Sequence, residues 1–513
     1  RRTFLATPAF ASLLPAQPSA LYRSESPFDV GNRSQLFIDG VLAAESKRIA
    51  YTLHTAQKHP SNPLMKADRP WEGWRLEIYG NVIYDEDEKI FKMWYLGEAP
   101  GYFAPSPGGP SADNSTLYAT STDGIRWEKP NVGTLHSPQS SAHNAVVFAT
   151  HLASVVKDKR DPDSSRRYKM TCYVHDPKEA RGYQTLTSPD GLRWSRLSSK
   201  PICRGSDVIT SYWDEARGMY VALAKIGTQV RGHNRRVFYL LTSTDFVHWT
   251  EPELVWSPDL RDDAGSLRRI EAARRLLDVP DDPAQMRTEF YGFGFYPQES
   301  CVLAFPWMFT INARARYGNQ EGPFELQLGV SRDLRHWARP FRTPCVQLGA
   351  PGEWDEGLMV TVSQALRVKD EVWLYYGGSK YTHGTPVLYR DQGTGRGTKY
   401  TGSIGLASWK LDRFVSADGP AEGGTLRTVP VTFTGTKLEL NAKTSGNGRV
   451  AVTILDAAGK PLPGFEMSQP VRGDVIRQEV KWPGGKSVAS LASRPVCLQF
   501  LVQNAQLFSF AFR

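Results

Sequence analysis

A seven-residue pattern recurs along the chain and limits the fold more than any other feature. Ser121-Thr122-Asp123-Gly124-Ile125-Arg126-Trp127 returns as Ser188-Pro189-Asp190-Gly191-Leu192-Arg193-Trp194. It returns again as Ser243-Thr244-Asp245-Phe246-Val247-His248-Trp249 and as Ser331-Arg332-Asp333-Leu334-Arg335-His336-Trp337. A degenerate fifth copy runs from Ser408 to Phe414, with Phe in place of Trp. Each copy follows a strand-like stretch, such as residues 116–120 or 238–242. Ser-x-Asp predicts an Asx turn after that strand, with the Trp folded back onto the sheet. Upstream of every turn, two further strand-like runs flank a polar hairpin, for example residues 79–84 and 90–96 around Asp85-Glu86-Asp87-Glu88. Five such units of about four strands each predict an all-β fold, a five-bladed β-propeller around a channel.

The pattern stops near residue 420. Beyond it come plain alternating strands, among them residues 429–433, 437–442, 450–455 and 496–502, which read as an antiparallel β-sandwich. A chain of 513 residues has room for both. The expected division is an export signal over 1–20, the propeller over 30–420 and the sandwich over 423–513. Two insertions interrupt the blades. Residues 259–288 include a short amphipathic helix at 267–277, and residues 379–400 are rich in Gly and Tyr.

Composition narrows the function classes. Lys and Arg number 62 against 53 Asp and Glu, but the basic residues are scattered and acids surround the densest group, Arg268, Arg269, Arg274 and Arg275. This excludes the basic patch that nucleic-acid binding needs. Cys172, Cys203, Cys301, Cys345 and Cys497 form no CxxC pair and read as small buried side chains. Arg1-Arg2-Thr3-Phe4-Leu5 and the small apolar residues behind it read as a twin-arginine export signal, which implies a periplasmic or extracellular protein. No later segment is long and apolar enough to predict a membrane span.

In a propeller the first strand of each blade lines the channel. Four of the five expected channel strands open on acids: Glu77, Asp207, Glu289 and the pair Asp355-Glu356. In the second unit His143-Asn144 takes that place. A single acid at a strand end is ordinarily a solvated residue. Several in register around one axis repel each other, so one pKa should rise while another carboxyl stays ionised. Glycoside cleavage uses that split. Trp71, Trp74, Tyr79, Tyr291, Trp354 and Tyr381 are candidate sugar-stacking residues, with Arg75, His143, Asn144 and His383 as polar contacts. Buried propeller core is the competing reading for each aromatic. Arg160-Asp161-Pro162 and Glu299-Ser300-Cys301 lie in exit hairpins, at the wrong mouth for chemistry. No histidine spacing supports a catalytic metal and no cofactor is expected, although the oxygen-rich channel is compatible with a structural Ca²⁺.

Several stretches carry a resemblance. They are Glu77-Ile78-Tyr79-Gly80-Asn81-Val82-Ile83-Tyr84-Asp85, Phe91-Lys92-Met93-Trp94-Tyr95, residues 121–130, Arg167-Tyr168-Lys169-Met170 and Glu371-Val372-Trp373-Leu374-Tyr375-Tyr376-Gly377-Gly378. Over residues 30–513 the chain resembles the five-bladed propellers of glycoside hydrolase families 32 and 43, and more closely bacterial proteins labelled glycosyl hydrolase family 32 N-terminal-like. The resemblance implies three acting carboxylates at successive channel strands. By position these are Glu77, Asp207 and Glu289, with roles unassigned among nucleophile or base, stabiliser and acid. An Asn-Asp-Pro-Asn-Gly block is missing, so fructose specificity is not implied. The expectation is a glycosidase acting on an oligo- or polysaccharide, as a monomer or small homo-oligomer. One alternative is a glycan-binding module without turnover. Another is a phosphorylase, for which Arg75, Arg204 and His143 are the candidate phosphate contacts.

Overall fold

The computed structural model describes residues 27–73, 75–104, 112–174, 182–315, 320–384 and 402–513. The proposed export signal lies outside these residues, as does Trp74. Five antiparallel sheets stand as blades around one axis. Their inner strands are Arg75–Asp85, Thr150–Lys157, Ile209–Asp214, Arg287–Gln298 and Leu358–Thr361, and each packs against the next until the ring closes on the first. In the first three blades successive strands follow the chain outward from the axis.

The repeat forms the turn its residues predict. In the first copy, Ser121 Oγ accepts from the Gly124 amide at 2.8 Å, and Asp123 Oδ1 accepts from the amides of Ile125 and Arg126, each at 2.8 Å. The second, third and fourth copies repeat these bonds. The fourth turn position has left-handed backbone in all of them: Gly124, Gly191, Phe246 and Leu334. Its carbonyl can also stitch one blade to its neighbour. Gly191 O accepts from the Trp94 indole of blade one at 2.8 Å, and Gly124 O accepts from Tyr375 of blade five at 2.7 Å. A Cβ on Gly124 would lie 2.7 Å from Tyr375 Oη and 2.8 Å from the Trp373 ring. Gly124→Ala should therefore cost roughly 2 kcal/mol or more through strain plus overpacking. Gly218→Ala, also at positive φ but with open space around it, should cost only the strain, about 1 kcal/mol. Equal losses in urea unfolding would refute the stitching role. The fifth copy departs from the pattern. Ser408 stays in the strand Ser403–Lys410, and the left-handed residue is Asp412, buried against Ser34, Gln298 and Ser509.

Exit hairpins latch adjacent blades. Asp85 of blade one takes Lys92 of its own blade at 2.8 Å and Tyr168 of the next at 2.7 Å. Asp158 of blade two takes Lys169 at 2.6 Å and the Tyr220 hydroxyl of blade three. Asp161 pairs with Lys169 and Arg166, so Arg160-Asp161-Pro162 is part of this scaffold. Glu299 serves the other domain, bonding the Ser34 amide and Arg513.

One boundary differs from expectation. The propeller was expected to begin at residue 30, but the strands Phe28–Gly31, Gln35–Leu36, Ala43–Lys47 and Ala50–Leu53 all pair with strands beyond residue 414, the first of them in a separate two-stranded sheet with Val431–Phe433. The chain then crosses to the propeller. Gln57–Lys58 and Met65–Lys66 form the outer edge of blade five, on the strand Ser403–Lys410. An edge strand satisfies its ladder with any partner of suitable register, so residues distant in sequence can close the ring. The sandwich is built from two long strands, Leu438–Leu455 and Cys497–Phe512, whose shared register breaks between Thr444 and Arg449. The two halves fold face to face there, and Phe500 of one half meets Phe510 of the other at 5.7 Å.

Candidate functional site

The Glu-x-Tyr-Gly sequence at the entry end of blade one recurs in blade four. Glu77-Ile78-Tyr79-Gly80 and Glu289-Phe290-Tyr291-Gly292 each meet a break in the inner-strand register. Such bulges re-aim side chains. Glycine is required at both, because a Cβ on Gly80 would sit 1.8 Å from Trp94 O and one on Gly292 would sit 2.5 Å from the Trp307 ring. The two tyrosines consequently point to the axis and sandwich Trp307, with centroids 5.5 Å from Tyr79 and 6.5 Å from Tyr291. This triple aromatic stack is buried at the entry ends of the first and fourth inner strands.

Three of the expected carboxylates are tied to this stack through their basic partners, which lie over its tyrosine rings. Glu77 is ion-paired to Arg75 at 2.6 Å, and Arg75 lies 5.2 Å over the Tyr79 ring. Glu289 is held through both oxygens, by Arg287 at 2.7 Å and Arg236 at 2.5 Å. Asp207 pairs with Lys225 and accepts from Tyr291 Oη at 3.1 Å. Their proximity shows in shared effects. Burial pushes the Tyr79 hydroxyl far above its usual range, and Tyr291, Glu77 and Asp207 push it further while Arg75 opposes. Asp207 differs from the other two acids. Its side chain keeps 20% exposure, against 3% for Glu77 and 1% for Glu289. Burial would raise its pKa, but Lys225, His151 and Arg236 outweigh burial and hold it below the usual carboxylate range.

The basic side chains of the mouth come from strands that the sequence pattern did not single out. Lys225 is on the second strand of blade three, fully buried, with its ammonium 3.8 Å over the Tyr291 ring. Burial pushes its pKa down to about 8. Arg236, on the third strand, lies 5.0 Å over the same ring and bonds Gln320 at 3.0 Å. His383 contacts Tyr291 at 5.1 Å and donates from Nδ1 to the Gln320 carbonyl at 2.8 Å. Burial first, then Arg236, pushes its pKa down to about 3, so the imidazole is neutral with Nε2 left as an acceptor.

Other expected residues lie elsewhere. His143 and Asn144 were placed on the second channel strand, but they precede Ala145–Phe148, the outer strand of blade one. His143 is spent on Leu135 O and the Ala145 amide, and Asn144 on Trp71, Tyr95 and Tyr118. The true channel strand is Thr150–Lys157, and the ring of its second residue, His151, meets Tyr79 at 6.1 Å. Left-handed Ala149 and Leu152 bracket it. Trp71 is therefore bound to Asn144. Asp355 is directed to the outer edge of blade five, where Lys58 holds it at 2.6 Å and Tyr376 at 2.9 Å. Trp354 stacks on that same Tyr376 at 5.4 Å. Glu356 pairs with Arg275 and lines a separate cavity of about 230 Å³ with Phe324 and Arg268. Tyr381 is half-buried beside Gly357, its amide bonded to Ser379 Oγ at 3.1 Å. Among the described residues no group of three His, Cys, Asp or Glu side chains is placed to hold a metal ion, and the mouth carboxylates take Arg and Lys as their counter-ions.

No family model and no curated protein matches the sequence. Solved structures with a similar chain course include a β-1,2-mannobiose phosphorylase from Listeria innocua, at 12% identity over 70% of this chain and 98% of that one, with a TM-score of 0.44. A glycosyl hydrolase from Bacteroides ovatus aligns at 11% identity over 70% and 94%, TM-score 0.40. An N-acetylgalactosamine deacetylase from F. plautii, in complex with blood group B trisaccharide, aligns at 13% over 76% and 96%, TM-score 0.38. These names cover three chemistries, and a fold hosts many activities. Activity has to be read from the mouth itself.

Proposed function

We propose that the chain is a glycan-active enzyme that hydrolyses a glycosidic bond at the entry mouth of the propeller, on a periplasmic or extracellular oligo- or polysaccharide. The feature that supports this is the placing of Asp207 and Glu77 around one buried tyrosine, Tyr79, whose hydroxyl both charges act on. Asp207 is ionised and reached by solvent, which suits a base or nucleophile. Glu77, from the neighbouring side of Tyr79, is the second carboxylate of the pair. Glu289 is committed to Arg236 and aims that guanidinium at the mouth.

Phosphorolysis is a second reading, favoured by one feature. Arg75 and Arg236 each keep about a fifth of their side chains exposed beside Asp207, and guanidinium groups bind phosphate well. A panel of oligosaccharides, assayed with and without inorganic phosphate, separates the two. Hydrolysis predicts free reducing sugar at a rate indifferent to phosphate. Sugar 1-phosphate formed only when phosphate is present would replace the hydrolytic reading. Binding without turnover on every glycan would reject both.

A further inference from the structure

Asp207 is presented by strained backbone. Its φ is +48°, a left-handed conformation that costs a residue with a side chain about 1–2 kcal/mol. The turn around it is closed by Val208 N donating to Ser206 O at 2.7 Å. Such strain persists only where the surroundings enforce it, and here the enforcing group comes from another blade. Tyr183, on the third strand of blade two, is fully buried. Its hydroxyl lies 3.0 Å from Ser206 O, 2.7 Å from Val208 O and 2.7 Å from Lys225 O, and it accepts from the Ser206 amide at 3.2 Å. Both ends of the turn and the backbone of Lys225 thus converge on one oxygen. Gly205 leaves the room for this, since a Cβ there would lie 2.1 Å from the Tyr183 ring.

We propose that Tyr183 is a positioning residue, whose hydroxyl pins the strained Asp207 turn to the Lys225 backbone and so fixes the Asp207–Lys225 ion pair for reaction. It touches no substrate; it acts through Asp207. The proposal rests on the mouth being the reacting site. Geometry of this kind matters because a displacement near 1 Å costs roughly 100-fold in rate.

Tyr183→Phe removes only the hydroxyl. Tyr375→Phe is the matched control, because its buried hydroxyl also bonds a turn carbonyl, Gly124 O, at a blade junction. Tyr183→Phe should lower kcat by about 10–100-fold with KM changed less than about threefold, while Tyr375→Phe should keep kcat. The Asp207 carboxyl, followed by ¹³C NMR titration and assigned with Asp207→Asn, should move up toward the ordinary range in Tyr183→Phe alone. An unchanged kcat and titration in Tyr183→Phe would overturn the assignment. So would an equal kcat loss in Tyr375→Phe, since that would mark general destabilisation. If the wild-type chain turns over no glycan, the functional reading fails, and the titration still decides whether Tyr183 holds Asp207.

Discussion

Replacing Asp207 by Asn is expected to lower turnover on the order of 10³-fold or more, the scale set by losing a reacting carboxylate. Asn keeps the volume and can still accept from Tyr291, so shape is preserved and charge is lost. The variant has a second effect: Lys225 is left buried without its counter-ion, which is destabilising in its own right. The double variant Asp207→Asn/Lys225→Met removes both charges. It should recover stability relative to the single variant and recover no activity. Return of turnover with stability would show that Asp207 was needed only as a partner for Lys225.

The same pair sets the pH dependence. With Asp207 held below the usual carboxylate range, the acid limb of kcat/KM should fall lower than an ordinary aspartate gives. Lys225 loses its proton near pH 8, so an alkaline limb is expected there. Stability responds in the opposite sense. Between about pH 8 and the unfolded lysine value near 10.4, the unfolded chain binds more protons than the folded one, and stability from this group rises with pH. Activity that falls while this contribution to stability grows distinguishes Lys225 titration from alkaline unfolding.

The largest expected effect on stability lies in the insertion between blades three and four. Its helices, Leu260–Ala264 and Ser266–Ala272, cover the flank of blade four. Asp262 is buried and faces Arg339 through both oxygens, with Arg342 at 3.0 Å. Burial depresses the Arg339 pKa, with Asp262 as the main opposing group. Asp262→Ala leaves that guanidinium uncompensated in the interior and should cost about 3–5 kcal/mol. Chemical denaturation measures it. A loss under about 1 kcal/mol, the surface-pair range, would show that water reaches Arg339.

The blades were legible because one turn repeats with its side chains intact, and a repeat reports architecture directly. Glu77, Asp207 and Glu289 were legible because each stands at the entry end of its inner strand. His151 was missed for a local reason: a single left-handed residue, Ala149, separates the last strand of blade one from the first of blade two, and nothing in its side chain marks it, so His143 took its place. Asp355 matched in register, but Lys58 and Tyr376 turn it outward, and those partners lie 297 and 21 positions away. Lys225, Arg236 and Tyr183 sit on second and third strands, where polar residues ordinarily face water. Only the closing of one blade against the next turns them inward.

The crossing of the N-terminal segment between the two domains has a consequence for synthesis. Residues 28–66 are made long before their strand partners, which lie at 403–408, 415–433 and 509–510. During most of translation these segments lack their partners: the propeller closes only once the strand Ser403–Lys410 is made, and the C-terminal sheet only with Cys497–Phe512. Contacts this distant fold slowly, so the nascent chain needs shielding for its opening segment. Cutting the gene near residue 423 would leave the propeller strands together but would strip the C-terminal fragment of its partners at 28–47 and 417–419.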